Sequence, residues 1–407
     1  MQAQVEVNNF SGTVLVRKNN TILLKKTYGL ADYEWNVKNT IDTKFQLASV
    51  TKQFTATAIL QLIDSGRLSL NDKLSKFLPD YPKADSVSIH MLLSHTSGLA
   101  MGFKEIALSS MSSDSAYTAI KKIPFEFPPG TKSSYSNIGY YLLAKIIEKV
   151  SGERYEAFLK KNIFDKVGMK NTGVSNNESI VAKKAKVYCH NEEGLIQNPY
   201  INWNINLGHD GVYSTVEDLA LWDKALYGTT VLSAGMKRKM FTPYGSENWG
   251  YGFIINPFYN HGHYLIAHDG GFFGTMTSFN RFTDDKLFVT VLSNNGSASH
   301  IIGYGLSAIA LGKEVEMPYK HHRAKIDTTI YKNYVGEYGK IQVLKIGGKL
   351  YYNDADIELI PESKTKFFRA DDNDRTIEFV EDKTDGYDSI ILTKGGVKEV
   401  FPRSIKN

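Results

Sequence analysis

Cysteine is almost missing from this chain. Its 407 residues include one, Cys189, which excludes an internal disulfide and any site built from several thiolates. A chain this long can still bury an adequate core without cross-links, so an oxidising compartment is not barred. Long apolar runs are missing too. The longest candidate, residues 301–312, falls short of the roughly 18 residues that suggest a membrane-spanning helix, so membrane association is not indicated. Charge of one sign is also scarce: 48 Lys and Arg stand against 43 Asp and Glu, a net charge of +5. That is no nucleic-acid footprint, and it would not repel an anionic substrate. There is no H-E-x-x-H pair, no G-x-S-x-G elbow and no G-x-x-x-x-G-K-[ST] loop. The histidines at His261 and His263, and at His321 and His322, read as loop residues, so neither a metal nor another cofactor is expected. A charged n-region and an apolar h-region are likewise lacking at the start. The protein is then either cytoplasmic or exported with its leader already removed.

What is present is ordinary globular composition, 42% apolar and 22% charged, in a chain long enough for two or three domains. Thr13–Val16 and Thr21–Leu24 flank a Lys18-Asn19-Asn20 turn and read as a β-hairpin that begins almost at once. Apolar residues from Ser49 to Ile63 then recur at helical spacing, with Gly66 as a stop. Ile138–Val150, ended by Ser151-Gly152, and Val216–Leu226, opened by Ser214-Thr215 with acids in its first turn, are two more helices. Strands return at Tyr264–Ala267, Thr275–Phe282 and Leu287–Leu292, followed by a helix over Ala298–Leu311. Strands from both ends must share one sheet. This predicts an α+β fold (an α/β sandwich) with an antiparallel sheet flanked by helices and a mostly helical insertion. The expected boundaries are 1–316 for this domain, 317–324 for a polar linker and 325–407 for a small C-terminal all-β, barrel-like domain. That last part has hairpin signals at Gly347-Gly348 and Gly395-Gly396 and a loop at Asp371–Asp374.

Three short motifs can carry chemistry. Ser49-Val50-Thr51-Lys52 opens the first long helix, and at i and i+3 the Lys52 amine can reach the Ser49 hydroxyl. Serine is a weak nucleophile until a base takes its proton, and a partly desolvated lysine can be that base or hold one in place. Tyr135-Ser136-Asn137 follows a Pro128-Pro129-Gly130 turn and precedes the second helix. A nearby ammonium lowers the pKa of a phenol, so the Tyr135 phenolate is expected to take the Ser49 proton and return it to a leaving group. The Asn137 amide can donate and accept, toward a substrate carbonyl or Lys52. His268-Asp269-Gly270-Gly271 sits at a strand end, where Gly270 and Gly271 let a substrate backbone come close. The N–H of Gly271 can pair with that of Ser49 as an oxyanion hole. His268 can bind a substrate carboxylate or tune the tyrosine. Each motif alone is weak: Ser363-Lys364-Thr365-Lys366 and Tyr331-Lys332-Asn333 match the first two as well. A helix cap, a half-buried tyrosine and a β-bulge would explain them without any chemistry.

Taken in order, the motifs carry more. With LLSHTSGL at 92–99, GTKSSYSNIGYYLL at 130–143 and GVYSTVEDLALW at 211–222, the sequence over about residues 8–312 resembles the serine β-lactamase and penicillin-binding protein superfamily. The likeness is to its class C-like branch of β-lactamases, D-aminopeptidases, carboxypeptidase-like proteins and family VIII esterases. The resemblance implies Ser49 as acylated nucleophile, Lys52 as its proton partner, Tyr135 as general base, Asn137 as a contact of substrate and Lys52, and His268 as the first residue of the third motif. Class C β-lactamases usually have lysine there, and a neutral imidazole holds a β-lactam carboxylate less firmly than a fixed ammonium. The expected function is therefore a serine hydrolase working through an acyl-enzyme on small amides or esters, with D-amino-acid peptides or esters foremost. The alternative is a weak or inactive module that binds cell-wall peptide or a partner. The expected partner is a small-molecule or peptide substrate, a β-lactam or wall peptide included. The resemblance implies export, to the periplasm or the outside. Oligomeric state is left open.

Overall fold

A computed structural model of the chain describes every residue except 192, 258, 354–356, 371, 382–385 and 405–407, with the backbone alone at 372 and 373. The chain divides into two compact units: Ser11–Gly303, and a second formed by Met1–Phe10 with Tyr304–Asn407.

The first unit is built on a six-stranded antiparallel sheet. The predicted hairpin is β1 (Gly12–Lys18) and β2 (Thr21–Tyr28), and Asn19 at φ 55 supplies the positive φ that its tight turn needs. A two-residue strand β3 (Phe45–Gln46) follows, then α1 (Lys52–Asp64) and α2 (Asn137–Ser151). Next come β4 (Gly173–Val174), β5 (Val212–Ser214) and α3 (Val216–Tyr227), whose Thr215 cap accepts from the Asp218 N–H. The chain returns through β6 (Ile254–Ile255), β7 (Leu265–Phe272), β8 (Thr275–Phe282) and β9 (Leu287–Ser293). The sheet order is β6-β7-β8-β9-β1-β2. Val14 of β1 pairs with Val291 of β9, so the two ends of this unit meet in mid-sheet, as expected. β1 is buried while β2, at the edge, shows Lys25 and Lys26 to solvent, a charged edge that discourages further strand pairing. Around α1 lies the core: Phe54 meets Trp222 of α3 at 4.9 Å and Phe164 at 5.3 Å.

Two departures from expectation lie outside the barrel. Strand β7 does not stop at Ala267. It continues to Phe272, so His268-Asp269-Gly270-Gly271 lies inside the strand, with Gly270 opposite Thr277 and Gly271 opposite Met276. The start of the chain is a helix, Gln2–Asn8, rather than a lead into the first strand. Its Asn8 side chain bonds Gln4 one turn back at 2.7 Å and Asp374 at 3.0 Å, which satisfies polar groups a strand would have left to water.

The second unit carries eight antiparallel strands in sequential order, from Gly336–Tyr338 to Val397–Pro402. A bridge between Tyr338 and Arg403 brings first and last together, so the sheet is a nearly closed barrel. The predicted turns at Gly347-Gly348 and Gly395-Gly396 are present, all four glycines having positive φ. Of the expected loop at 371–374, Asp371 lies outside the described residues and the rest belongs to the strand Asp372–Glu381.

Candidate active site

The chain enters α1 through one 3-10 turn, Ala48–Thr51. Ala48 is buried and held at φ 46, a left-handed conformation that costs an alanine roughly 1–2 kcal/mol. Strain of this kind is kept where the surroundings impose a geometry. Here it sets Ser49, half-buried, at the mouth of the helix. Lys52 lies one turn on and is fully buried.

The Lys52 Nζ has three acceptors. It reaches Asn137 Oδ1 at 2.7 Å, Ser49 Oγ at 3.1 Å and the His209 carbonyl at 3.3 Å. An ammonium has three protons for three acceptors. A neutral amine keeps two, for Asn137 and His209, and its lone pair then faces Ser49 Oγ. Burial pulls the Lys52 pKa down to about 7, with the Asp210 carboxylate pulling the other way. The neutral form is therefore within reach near neutral pH.

Tyr135 comes from the segment leading into α2, whose cap Ser136 accepts from the Gly139 N–H at 3.1 Å. Lys52 Nζ sits 4.7 Å from the Tyr135 ring centre. His95 stacks on that ring at 4.6 Å and Trp249 packs at 5.1 Å. His95 is fixed in turn, since its Nδ1 accepts from the Ser136 N–H at 3.0 Å. The Tyr135 hydroxyl is buried and has no hydrogen-bond partner of normal geometry among the described residues, although Ser49 is near enough to favour its anion. The expected lowering of its pKa does not occur. Burial pushes the phenol well above its ordinary value and outweighs Ser49, with Asp210 adding to the rise. Tyr135 is thus a neutral donor in the resting site, not a phenolate.

His268 is the neutral imidazole expected at this place, but its hydrogen bonding limits what it can do. Burial, then the charge of Lys52, brings its pKa down to about 3, so the ring is neutral. Its Nδ1 lies 2.6 Å from the Asp269 carbonyl. A carbonyl only accepts, so Nδ1 carries the proton and the buried Nε2 is an acceptor. Such a ring has nothing to donate to a substrate carboxylate. Gly270 does permit a close approach, but of the chain itself: a Cβ there would stand 2.3 Å from the Leu47 carbonyl oxygen and 3.1 Å from the Ser49 nitrogen. Gly271 is tighter only against Met276, with 3.3 Å to its sulfur.

The first turn of α1 thus meets residues from α2, β7 and the loop before β5. That loop holds two residues the motifs did not single out. Asp210 is buried; its Oδ2 takes the His209 Nδ1–H at 2.8 Å, and its Oδ1 lies 3.4 Å from Ser49 Oγ. It is an anion, because His209, Lys52 and Ser49 together outweigh the rise that burial alone would cause. Pairing of β5 with β3 brings it there: Gln46 stands opposite Tyr213, and the Leu47 N–H donates to the Val212 carbonyl at 2.8 Å. Beside Asp210 and Asn137 opens a cavity of about 490 Å³, walled mainly by Met101, Phe103, Phe272 and Phe273.

The family model Beta-lactamase matches residues 2–308. The chain belongs to the β-lactamase family. It is 31% identical over 404 residues to penicillin-binding protein 4* of Bacillus subtilis (strain 168), covering 89% of this chain and 88% of that one. It is 28% identical over 293 residues to the teichoic acid D-alanine hydrolase of Staphylococcus aureus, 70% of each chain. Among solved structures, the octameric penicillin-binding protein homologue from Pyrococcus abyssi matches with a TM-score of 0.71 at 26% identity, over 98% of this chain and 97% of that one. This family member is a β-lactamase-like serine hydrolase, which is the resemblance read from its motifs. It has no helix among the described residues long and apolar enough to cross a membrane.

Proposed function

We propose that the protein hydrolyses small amides or esters through an acyl-enzyme on Ser49, with Lys52 as the base. The observation that carries this is the buried Lys52 amine 3.1 Å from Ser49 Oγ, with its other two N–H groups committed to Asn137 and His209. Neutral Lys52 takes the Ser49 proton as Oγ attacks the carbonyl carbon. The N–H groups of Ser49 and Gly271 hold the oxyanion, a contribution typically worth on the order of 10²–10³ in rate per donor. Tyr135 gives its proton to the departing nitrogen or oxygen and regains one from the Lys52 ammonium. A water then repeats the sequence in reverse sense: its proton passes to Lys52, its oxygen attacks the ester, and Ser49 leaves with a proton returned to Oγ. Asn137 keeps Lys52 aimed, and His268 accepts from a substrate or Tyr135 donor.

The substrate class we favour is a D-amino-acid amide or ester, supported by the name of the Staphylococcus aureus relative. Export is proposed on the same support, since teichoic acid lies outside the cell membrane. The test is a fluorophosphonate probe followed by peptide mapping, with hydrolysis of D-amino-acid p-nitroanilides, p-nitrophenyl esters and nitrocefin alongside. Label on the Ser49 peptide, and loss of both label and turnover in Ser49→Ala with the fold intact, is the expected result. Undiminished hydrolysis by Ser49→Ala would refute the assignment. Absent labelling with tight binding of a fluorescent penicillin would point to a binding module instead.

A further inference from the structure

The carboxylate of Asp210 is placed unusually for a group that serves only its neighbours. It is 2% exposed, yet it borders the cavity beside the nucleophile. One oxygen is well used, by His209 at 2.8 Å. Among the described residues the other has only the 3.4 Å contact from Ser49 Oγ, longer than the 2.5–3.0 Å typical of O–H···O bonds. An anionic oxygen buried at a cavity wall with so weak a donor is poorly satisfied, and such groups favour a charged partner. The Lys52 amine, whose charge also acts on Asp210, spends its hydrogen bonds on Asn137, Ser49 and the His209 carbonyl. The other charged side chains bordering the cavity are Lys104 and Glu105, one of each sign, and Lys104 already lies over the Phe273 ring at 5.1 Å.

We infer that Asp210 is a specificity residue that receives the α-ammonium of an aminoacyl substrate, with the side chain of that amino acid lying among Phe103, Phe272 and Phe273. The inference rests on Ser49 being the nucleophile. Covalent geometry supports it. In an aminoacyl group the nitrogen and the attacked carbon share one Cα, which puts them about 2.5 Å apart. When Ser49 Oγ stands at an attack distance of roughly 3–3.5 Å from that carbon, the ammonium can reach an oxygen that itself lies 3.4 Å from Oγ. An N-acylated amino acid lacks the charge and needs more room at the same place. Asp210 also stays charged across the working range, since its pKa is held below the ordinary carboxylate value.

The test compares D-alanine p-nitroanilide with its N-acetyl derivative and with propionyl p-nitroanilide, near pH 7, where an α-amino group of pKa about 8 is mostly charged. Wild-type enzyme should favour the free amine over both by at least about 10-fold in kcat/KM, as expected for a hydrogen bond to a charged group. In Asp210→Asn the ratio should collapse toward one, whatever loss is common to all three substrates, and Asp210→Glu should keep part of it. The wild-type substrate comparison stands even if a variant fails to fold. No preference in wild type, or an unchanged ratio in Asp210→Asn, overturns the inference. If the fluorophosphonate does not label Ser49 at all, the underlying nucleophile assignment has failed instead, so the two failures are told apart.

Discussion

Lys52 has a buried amine with three acceptors and a carboxylate close by. In the proposed mechanism that combination makes its proton state the variable that controls Ser49. The titratable groups facing it are Asp210, His95, His268, Tyr135 and Tyr140, with His209 behind Asp210. Burial keeps the His95 and His268 rings neutral and both phenols protonated, while Asp210 stays ionised. Lys52, at about 7, changes state near neutral pH. A base must be unprotonated to act. Labelling of Ser49 by a fluorophosphonate should therefore be slow in acid, rise through pH 7 and level off above it, with roughly a tenth of the plateau rate at pH 6. Lys52→Arg, which cannot lose its proton, should lower the labelling rate by about 10²–10⁴-fold with no such rise. A rate independent of pH between 5 and 9 would exclude Lys52 as the base. Residue types and order were enough to single out Ser49, Lys52, Tyr135 and Asn137, which the fold brings together, because helix spacing and a turn before a helix are local signals. The charge state of Tyr135 differs from expectation because it depends on burial, a property of the folded site. Asp210 had no local signal, since it gains its place from two-residue strands paired across the chain.

At the scale of elements, helix α3 is fixed to the sheet by charge, while its Trp222 packs on α1 through Phe54 and Gln53. Asp223, on α3, is buried and receives Arg281 Nε of β8 at 2.5 Å and Arg17 of β1. Arg17 also donates to the Ala220 carbonyl at 3.0 Å, and Arg281 to the Asp223 carbonyl at 3.3 Å. The Arg281 side chain is 1% exposed. A buried pair of this kind adds little over an apolar one, but breaking it leaves a charge with no partner. Asp223→Ala should therefore destabilise the Ser11–Gly303 unit by about 3–5 kcal/mol, read from urea unfolding. Replacing Arg281 by Met as well should recover part of that loss. A cost near zero in the single variant would mean that water reaches Arg281. The elements themselves were largely legible. The N-terminal hairpin, the helices and three of the sheet strands follow from period and turn residues. The two departures outside the barrel arise where the sequence pattern is silent: Gln2–Asn8 has no apolar face to reveal its helix. In β7 two glycines looked like an end, although Gly270 is inside the strand because a Cβ would strike Leu47.

Over the whole molecule, each unit has its own core, and every residue proposed to act on substrate lies in Ser11–Gly303. The barrel core gathers around Phe379, 2% exposed, with Tyr334 at 4.5 Å, Phe367 at 5.6 Å, Tyr387 at 5.7 Å and Tyr338 at 5.8 Å. Removing a ring from such a cluster costs both its transfer energy and the cavity left behind, about 3–5 kcal/mol for Phe to Ala. A barrel of this size has little stability to spare. Phe379→Ala in the full chain should then give a separate, earlier unfolding step, since the two cores are distinct clusters of contacts and two-state behaviour is not expected of such a chain. The Ser49 labelling rate should be unchanged below that step, because the groups named around Lys52 all belong to Ser11–Gly303. Following labelling and tyrosine fluorescence through the same urea series tests this directly. If labelling fails together with the barrel signal, the catalytic geometry depends on the second unit, and the chemistry could no longer be assigned to residues 11–303 alone.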